Sequence, residues 1–285
     1  MARCERGTFQ PGLHYFVGGN SKVYGAALFR LRERDFDEIV HKDGISPAWP
    51  LQYADFEPHY AAAGTLFHVH AQRGEDPTEP PSSGPYPYPA VSHEPRIQEL
   101  NASLARQGLH PFHLPFGILL DERNGVATPT STYVRTNTFD GYPCPFNGKA
   151  DAQVMCGDPT LTAHPENFTL LTNADVSKLK TAPSPGRSVN QVHVTWEGRE
   201  ERYSTDIVVL GCGALSSALL LLRSASDKHP KDLANGSGQV SRNYMRHNMS
   251  VLMALIMSQA PRSSRRRLRS TITISAPTIG ITHSA

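Results

Sequence analysis

Two glycine turns carry the chemistry open to this sequence. The first follows Ile207 to Leu210, an uncharged run that enters Gly211-Cys212-Gly213 and leads at once into an apolar stretch from Leu215 to Arg223. Read as buried strand, turn and helix, it puts residues without Cβ atoms where the backbone must turn, beside the unpaired N–H groups and positive dipole end of a helix. Such a turn suits a phosphate or the edge of a dinucleotide, and equally a tight βα connection with no ligand. As a dinucleotide fingerprint it is incomplete, because Ser216 stands in the place of the third glycine. No second βα unit follows, so the segment is expected to be a late strand of a sheet whose start lies elsewhere. The second turn is Gly18-Gly19, where paired glycines mark a sharp bend or a close backbone approach.

Other combinations offer less. His68-Val69-His70 and the pair His110 and His113 lack a third ligand at a suitable spacing, so no metal centre is expected. Ser216-Ser217 has no nucleophile elbow around it. Cys4, Cys144, Cys156 and Cys212 show no C-x-x-C spacing and read as free thiols. Arg262 and the cluster Arg265-Arg266-Arg267-Leu268-Arg269 could meet nucleic acid, but a short arginine run in a tail is read first as a solvated segment.

These turns need elements to hold them. Across 285 residues, 39% are hydrophobic and 19% charged, which supports a packed core. The 22 glycines and 23 prolines favour a loop-rich α/β or α+β protein over a helical bundle. A net charge of +2 gives no global attraction to nucleic acid or anionic membrane. Asp55 is expected to cap a helix that buries Phe56, Tyr60, Ala63 and Phe67. Residues 74–95 are proline-rich and read as an extended connector or lid. Ile97, Leu100 and Leu104 mark a helix stopped by Gly108, and residues 111–163 are expected to be mostly irregular. Residues 167–180 predict two short strands. Val189 to Trp196 alternates as a half-buried strand, Gly198 turns the chain, and Glu201 to Ser204 starts the return. The helix from Leu215 to Arg223 is apolar nearly all round and is expected to pack on both sides. Met1 to Gln10 is polar and no run is long enough for a membrane span, which predicts a cytoplasmic protein.

From Pro11 to Ala254 the chain resembles the glucose–methanol–choline oxidoreductases, flavoproteins that oxidise alcohols with FAD. VGGNSKVYG (17–25) is similar to the family's flavin-contacting segment. TLLTNADVSKL (169–179) resembles the strands whose valine backbone, here Val176, meets the adenine ring. GALSSALLLLRS (213–224) looks like the second family signature, and GSGQVSRNYMRH (236–247) like the segment that closes over the cofactor. WPLQYADFEPHYAAA (49–63) matches a typical family helix. The resemblance implies an incomplete FAD/NAD(P)-binding Rossmann-like domain with FAD as cofactor and an alcohol as substrate. It assigns cofactor contact to Gly18, Gly19, Asn20, Ser21, Val176, Gly211, Cys212, Gly213, Ser217 and Asn243.

The departures are Asn20 for a small residue, Tyr24 for a common asparagine, Ala218 for Pro or Ser, and Ser241 for a glycine. The family's N-terminal G-x-G-x-x-G turn and its C-terminal catalytic histidine find no counterpart. The chain therefore reads as truncated at both ends, with no catalytic residue, weak or no FAD binding, and no competence as an enzyme by itself. The expected organisation is 1–70 as an FAD-binding part, 71–165 as an irregular lid or substrate-side region, 166–257 as the late FAD-binding part, and 258–285 as a disordered or out-of-frame basic tail. Two other readings stay open: a nicotinamide-dependent enzyme using the 207–223 turn, and a nucleic-acid-binding protein acting through the tail.

Overall fold

The computed structural model describes residues 12–42, 44–93, 95–123, 126–129, 131–132, 142–183, 188–242 and 244. The basic tail and Asn243 lie outside these residues. The chain divides into two compact units, Met1–Thr172 and Asn173–Ala285.

The first unit is built from short antiparallel pieces around a small apolar centre. β1 (Ile39–His41) pairs with β2 (Gly44–Ser46). Helix α1 (Tyr53–Leu66) follows. Asp55 lies inside its first turn rather than before it, and its carboxylate accepts the Gln52 N–H at 2.8 Å. The helix buries Tyr53 most deeply; Phe56, Tyr60 and Phe67 are half-buried and Ala63 is exposed, which corrects the expected face. The reason is an aromatic cluster: the rings of Trp49, Tyr53 and Phe56 all gather on buried Phe36, 5.3 to 6.3 Å between centroids.

β3 (Val69–His70) pairs with β4 (Phe116–Gly117). Ala27 bridges Phe116 on its other side, and Ile118 bridges Lys149. Ala26, Ile118 and Leu120 form the apolar centre of this arrangement. Helix α2 (Pro95–Ala105), the pair β5 (Glu122–Arg123) and β6 (Val126–Ala127), a π turn over Gln153–Gly157 and helix α3 (Asp158–Ala163) complete the unit.

The proline-rich stretch carries no helix and is pinned by charge. Arg30 meets Glu57 at 3.1 Å, and Glu57 accepts the Ser83 N–H at 3.0 Å. Arg32 reaches Asp76 at 3.4 Å, and Arg73 reaches Glu79 at 2.7 Å while lying over the Tyr86 ring. Glu75 accepts from both the backbone N–H and the ring Nδ1 of His113.

The second unit is an antiparallel meander, β7 (Ala174–Thr181), β8 (Val189–Trp196) and β9 (Arg199–Ser204), in that order. Glu197 and Gly198, both at positive φ, make the two-residue turn that the twist of a hairpin favours. Residues 167–180 give one strand, β7, instead of two. Helix α4 (Gly213–Arg223) packs on β7. Leu179, Leu220 and Leu233 form the core there, and Ser224 Oγ ties the two elements by accepting the Leu179 N–H and donating to the Leu220 carbonyl.

Two expectations fail here. Ile207 to Leu210 is not a buried strand: it joins no ladder, and Ile207 and Val209 are 78% and 84% exposed while Val208 packs inward. Helix α4 is buried on one face only, with Leu219 exposed. Among the described residues every paired strand is antiparallel, beside an isolated parallel bridge between His70 and Tyr88. The fold is thus mixed helix and strand, and a Rossmann-like sheet is not evident in its topology. Among the described residues no helix is long and apolar enough to cross a membrane.

Replacing fully buried Ile118 by alanine is expected to destabilise the first unit by about 2–5 kcal/mol, read from urea unfolding. The pinned proline-rich stretch should also respond to acid. The Ser83 N–H bond, aided by Arg30 and the two serine hydroxyls, holds the Glu57 carboxyl below the ordinary range. Partial burial opposes the same shift at Glu75, but the hydrogen bonds and charge of His113 prevail and lower it. A depressed carboxyl stabilises above its unfolded value and stops doing so as pH falls through its folded value. Hydrogen exchange of residues 72–90, corrected for intrinsic rates, should therefore accelerate below the ordinary carboxylate range before that of β7–β9 does.

Candidate functional site

Each unit holds one of the glycine turns. In the first, Gly18 (φ +87°) and Gly19 (φ +51°) take left-handed conformations and open a 3₁₀ turn over Gly19–Lys22. The Gly19 N–H bonds the Phe16 carbonyl at 2.8 Å, and the Ser21 N–H bonds Gly18 at 3.2 Å. Asn20 closes a loop onto the preceding segment: its Oδ1 accepts the His14 N–H and its Nδ2 donates to the Gly12 carbonyl. Ser21 Oγ donates to the Gly18 carbonyl and accepts the Ala152 N–H at 3.3 Å. The side chains of Asn20 and Ser21 thus hold the turn itself, which leaves backbone as the main surface available to a ligand.

Beneath the turn lie charges that sequence reasoning missed. Lys22 is buried and its Nζ sits 3.0 Å from Asp151 Oδ2. Lys149 is fully buried and donates to the Tyr24 and Tyr142 carbonyls at 2.8 and 2.9 Å. Tyr24 donates its hydroxyl to the Ala150 carbonyl at 2.7 Å. Burial raises the Tyr24 pKa, and the Asp151 charge raises it further, so this phenol stays protonated. Nothing in a single sequence separates Lys149-Ala150-Asp151 from an ordinary polar loop; the only signal is spatial.

In the second unit Gly211, Cys212 and Gly213 are exposed and lead into α4. Gly213 needs its glycine, at φ +76°, whereas Gly211 does not take a positive φ. A Cβ at either would meet nothing within 4 Å. Cys212 is the N-cap residue and makes no side-chain cap bond, so the N-cap side chain satisfies none of the first-turn amides of α4. This fits the edge of a phosphate or dinucleotide, through backbone N–H groups and dipole rather than a cation. Ser217 is half-buried one turn further along. Val176 lies on β7 at a register shift, paired with Val194 and 36% exposed. Gly18, Gly19, Asn20 and Ser21 therefore fall in one unit, and Val176, Gly211, Cys212, Gly213 and Ser217 in the other.

Several histidines lie in ring stacks. His68 and His70 lie against Tyr88, and His93 stacks on His113 at 4.0 Å. Burial lowers the pKa of both His68 and His70. No group of three His, Cys, Asp or Glu among the described residues could hold a metal ion.

Sequence comparison adds the lineage. No family model matches the chain. It is 32% identical over 228 residues to 6'''-hydroxyparomomycin C oxidase of Streptomyces lividus, covering 79% of this chain and 40% of that protein. It is 25% identical over 249 residues to 2-methyl-1,2-propanediol dehydrogenase of Mycolicibacterium austroafricanum, covering 86% and 43%. With the gluconate 2-dehydrogenase flavoprotein of Pantoea cypripedii it shares 24% over 224 residues, covering 72% and 35%. The chain is a distant homologue of the glucose–methanol–choline oxidoreductases. It spans about 40% of the length of the relatives it matches. These relatives are an oxidase, a dehydrogenase and a dehydrogenase flavoprotein.

The two glycines of the second turn should separate on substitution. Gly213→Ala must take a left-handed conformation and is expected to destabilise α4 by about 1–2 kcal/mol, while Gly211→Ala should be close to neutral. Urea unfolding followed by helical circular dichroism compares them directly.

Proposed function

We propose that this chain forms the flavin-side part of an FAD-dependent oxidation of a CH–OH donor, alcohol to carbonyl. The observation that carries this reading is the 32% identity over 228 residues with an oxidase of the glucose–methanol–choline lineage. The turn chemistry supports it: two glycine turns with left-handed residues, one of them opening a helix without a side-chain cap.

In this reading Gly18, Gly19, Asn20 and Ser21 offer backbone to the flavin side of FAD. Val176 offers backbone to the adenine, Gly211, Cys212, Gly213 and Ser217 offer amides and a hydroxyl, and Asn243 closes the cofactor segment. The proposed organisation follows: residues 1–70 and 166–257 face FAD, and 71–165 form the substrate side. FAD, when bound, supplies the hydride acceptor. The hydroxyl proton needs a base, and no residue of this chain is assigned that role.

Affinity for FAD should be weak, because the ligand surface is mostly backbone and the second turn is open to solvent. Titrating the purified chain into FAD and following flavin fluorescence should give a saturable change in about the micromolar to millimolar range. Adenosine diphosphate, which carries the adenosine and diphosphate without the flavin, should compete. Alcohol-dependent reduction of the flavin should not occur with this chain as the sole protein. A titration without saturation, or one that NAD reproduces and FAD does not, overturns the reading.

A further inference from the structure

The Gly18–Gly19 turn rests on a buried charge that glycine chemistry does not explain. Lysine is among the residues least often buried, yet Lys22 is 8% exposed. Its alkyl stem runs directly under Gly18: a Cβ there would come within 2.7 Å of Cδ and 2.8 Å of Cγ, and 3.3 Å of Gln153 Cβ. Gly18 is thus required twice, by its φ of +87° and by this stem. The ammonium at the far end meets Asp151, itself 1% exposed. Asp151 is held in turn, since its Oδ1 accepts the N–H groups of Gln153 and Val154 at 3.0 and 3.1 Å. A second, weaker tether runs from Ala152 through Ser21 Oγ to the Gly18 carbonyl.

We propose that Lys22 and Asp151 are positioning residues that hold the Gly18–Gly19 turn in its ligand-facing form. The lysine charge is consumed by Asp151, so Lys22 acts through the backbone it supports and not as a counter-charge to phosphate. What that backbone contacts rests on the proposed FAD reading; the positioning itself does not.

The test uses the full chain. Lys22→Met combined with Asp151→Asn removes both charges without stranding either one, and the asparagine oxygen can still accept the Gln153 and Val154 amides. Hydrogen exchange by mass spectrometry is read for residues 16–23 and, as an internal reference, for β7–β9. Exchange in 16–23 should rise about tenfold with β7–β9 unchanged, and FAD affinity should fall by a similar factor. If the double variant loses protection throughout, Lys22→Arg, which keeps the charge but brings a larger head group against buried Asp151, takes its place and must by itself accelerate 16–23 selectively. Unchanged exchange in 16–23, or equal acceleration of every segment by Lys22→Arg, overturns the proposal. Unchanged FAD affinity despite selective acceleration overturns its ligand-facing part. Should the unaltered chain take up no FAD, the functional reading fails while the exchange result still decides the positioning.

Discussion

Buried charge shapes the first unit. An ammonium taken out of water must find partners, or the free-energy penalty reaches several kcal/mol. Lys149 finds them in the carbonyls of Tyr24 and Tyr142, and Lys22 in Asp151. Tyr24 for Lys149 and Asp151 for Lys22 come from a distant stretch, so satisfying the charges draws residues 18–24 onto residues 149–154. Lys149 also bridges Ile118 through the backbone, and Ala150 donates its N–H to Gly117. The apolar centre at Ala26, Ile118 and Leu120 is therefore framed by the same three-residue stretch that supports the glycine turn. Apolar burial is non-directional; the two carbonyl bonds of Lys149 and the ion pair of Lys22 with Asp151 add specific partners to it.

The second unit shows what hydrophobic alternation can and cannot specify. Ile207, Val208 and Val209 keep the period of a strand, with Val208 inward and its neighbours outward. A strand also needs a hydrogen-bonding neighbour, and among the described residues these join no ladder. The meander β7–β9 is complete without them. An apolar run next to a glycine turn and a helix thus satisfies the local part of a βα signature and not its tertiary part.

Legibility in the sequence followed the same division. β8, β9 and the turn at Gly198 were readable because alternation and turn chemistry are local. Helix α1 was readable in place, although its buried face was not: the cluster on Phe36 takes in Trp49 and Tyr53, which lie outside the i, i+4 pattern starting at Phe56. The proline-rich stretch was recognisable as non-helical, but its pinning by Arg30, Arg32 and Arg73 was not, since charged side chains carry no mark of their future partners. The glycines at 18, 19, 211 and 213 were visible as turns or close backbone approaches, although Gly211 takes no positive φ, and the lineage was visible in the order of its segments. Lys22 and Asp151 were invisible because they meet only after the chain has folded.

Gly18 and Gly213 illustrate two separate reasons for the same residue. Both take positive φ, which excludes most side chains on backbone grounds. Gly18 is also backed by packed atoms, so its conformation is set before any ligand arrives. Gly213 has open space where a Cβ would lie, and its preceding segment is exposed. A turn buttressed by its own protein presents backbone at little ordering cost, whereas an unbuttressed one must be ordered by what binds it. On the proposed reading the ordering cost falls on Gly211–Gly213, while the contribution of Gly18–Gly19 is limited by how firmly Lys22 and Asp151 hold it.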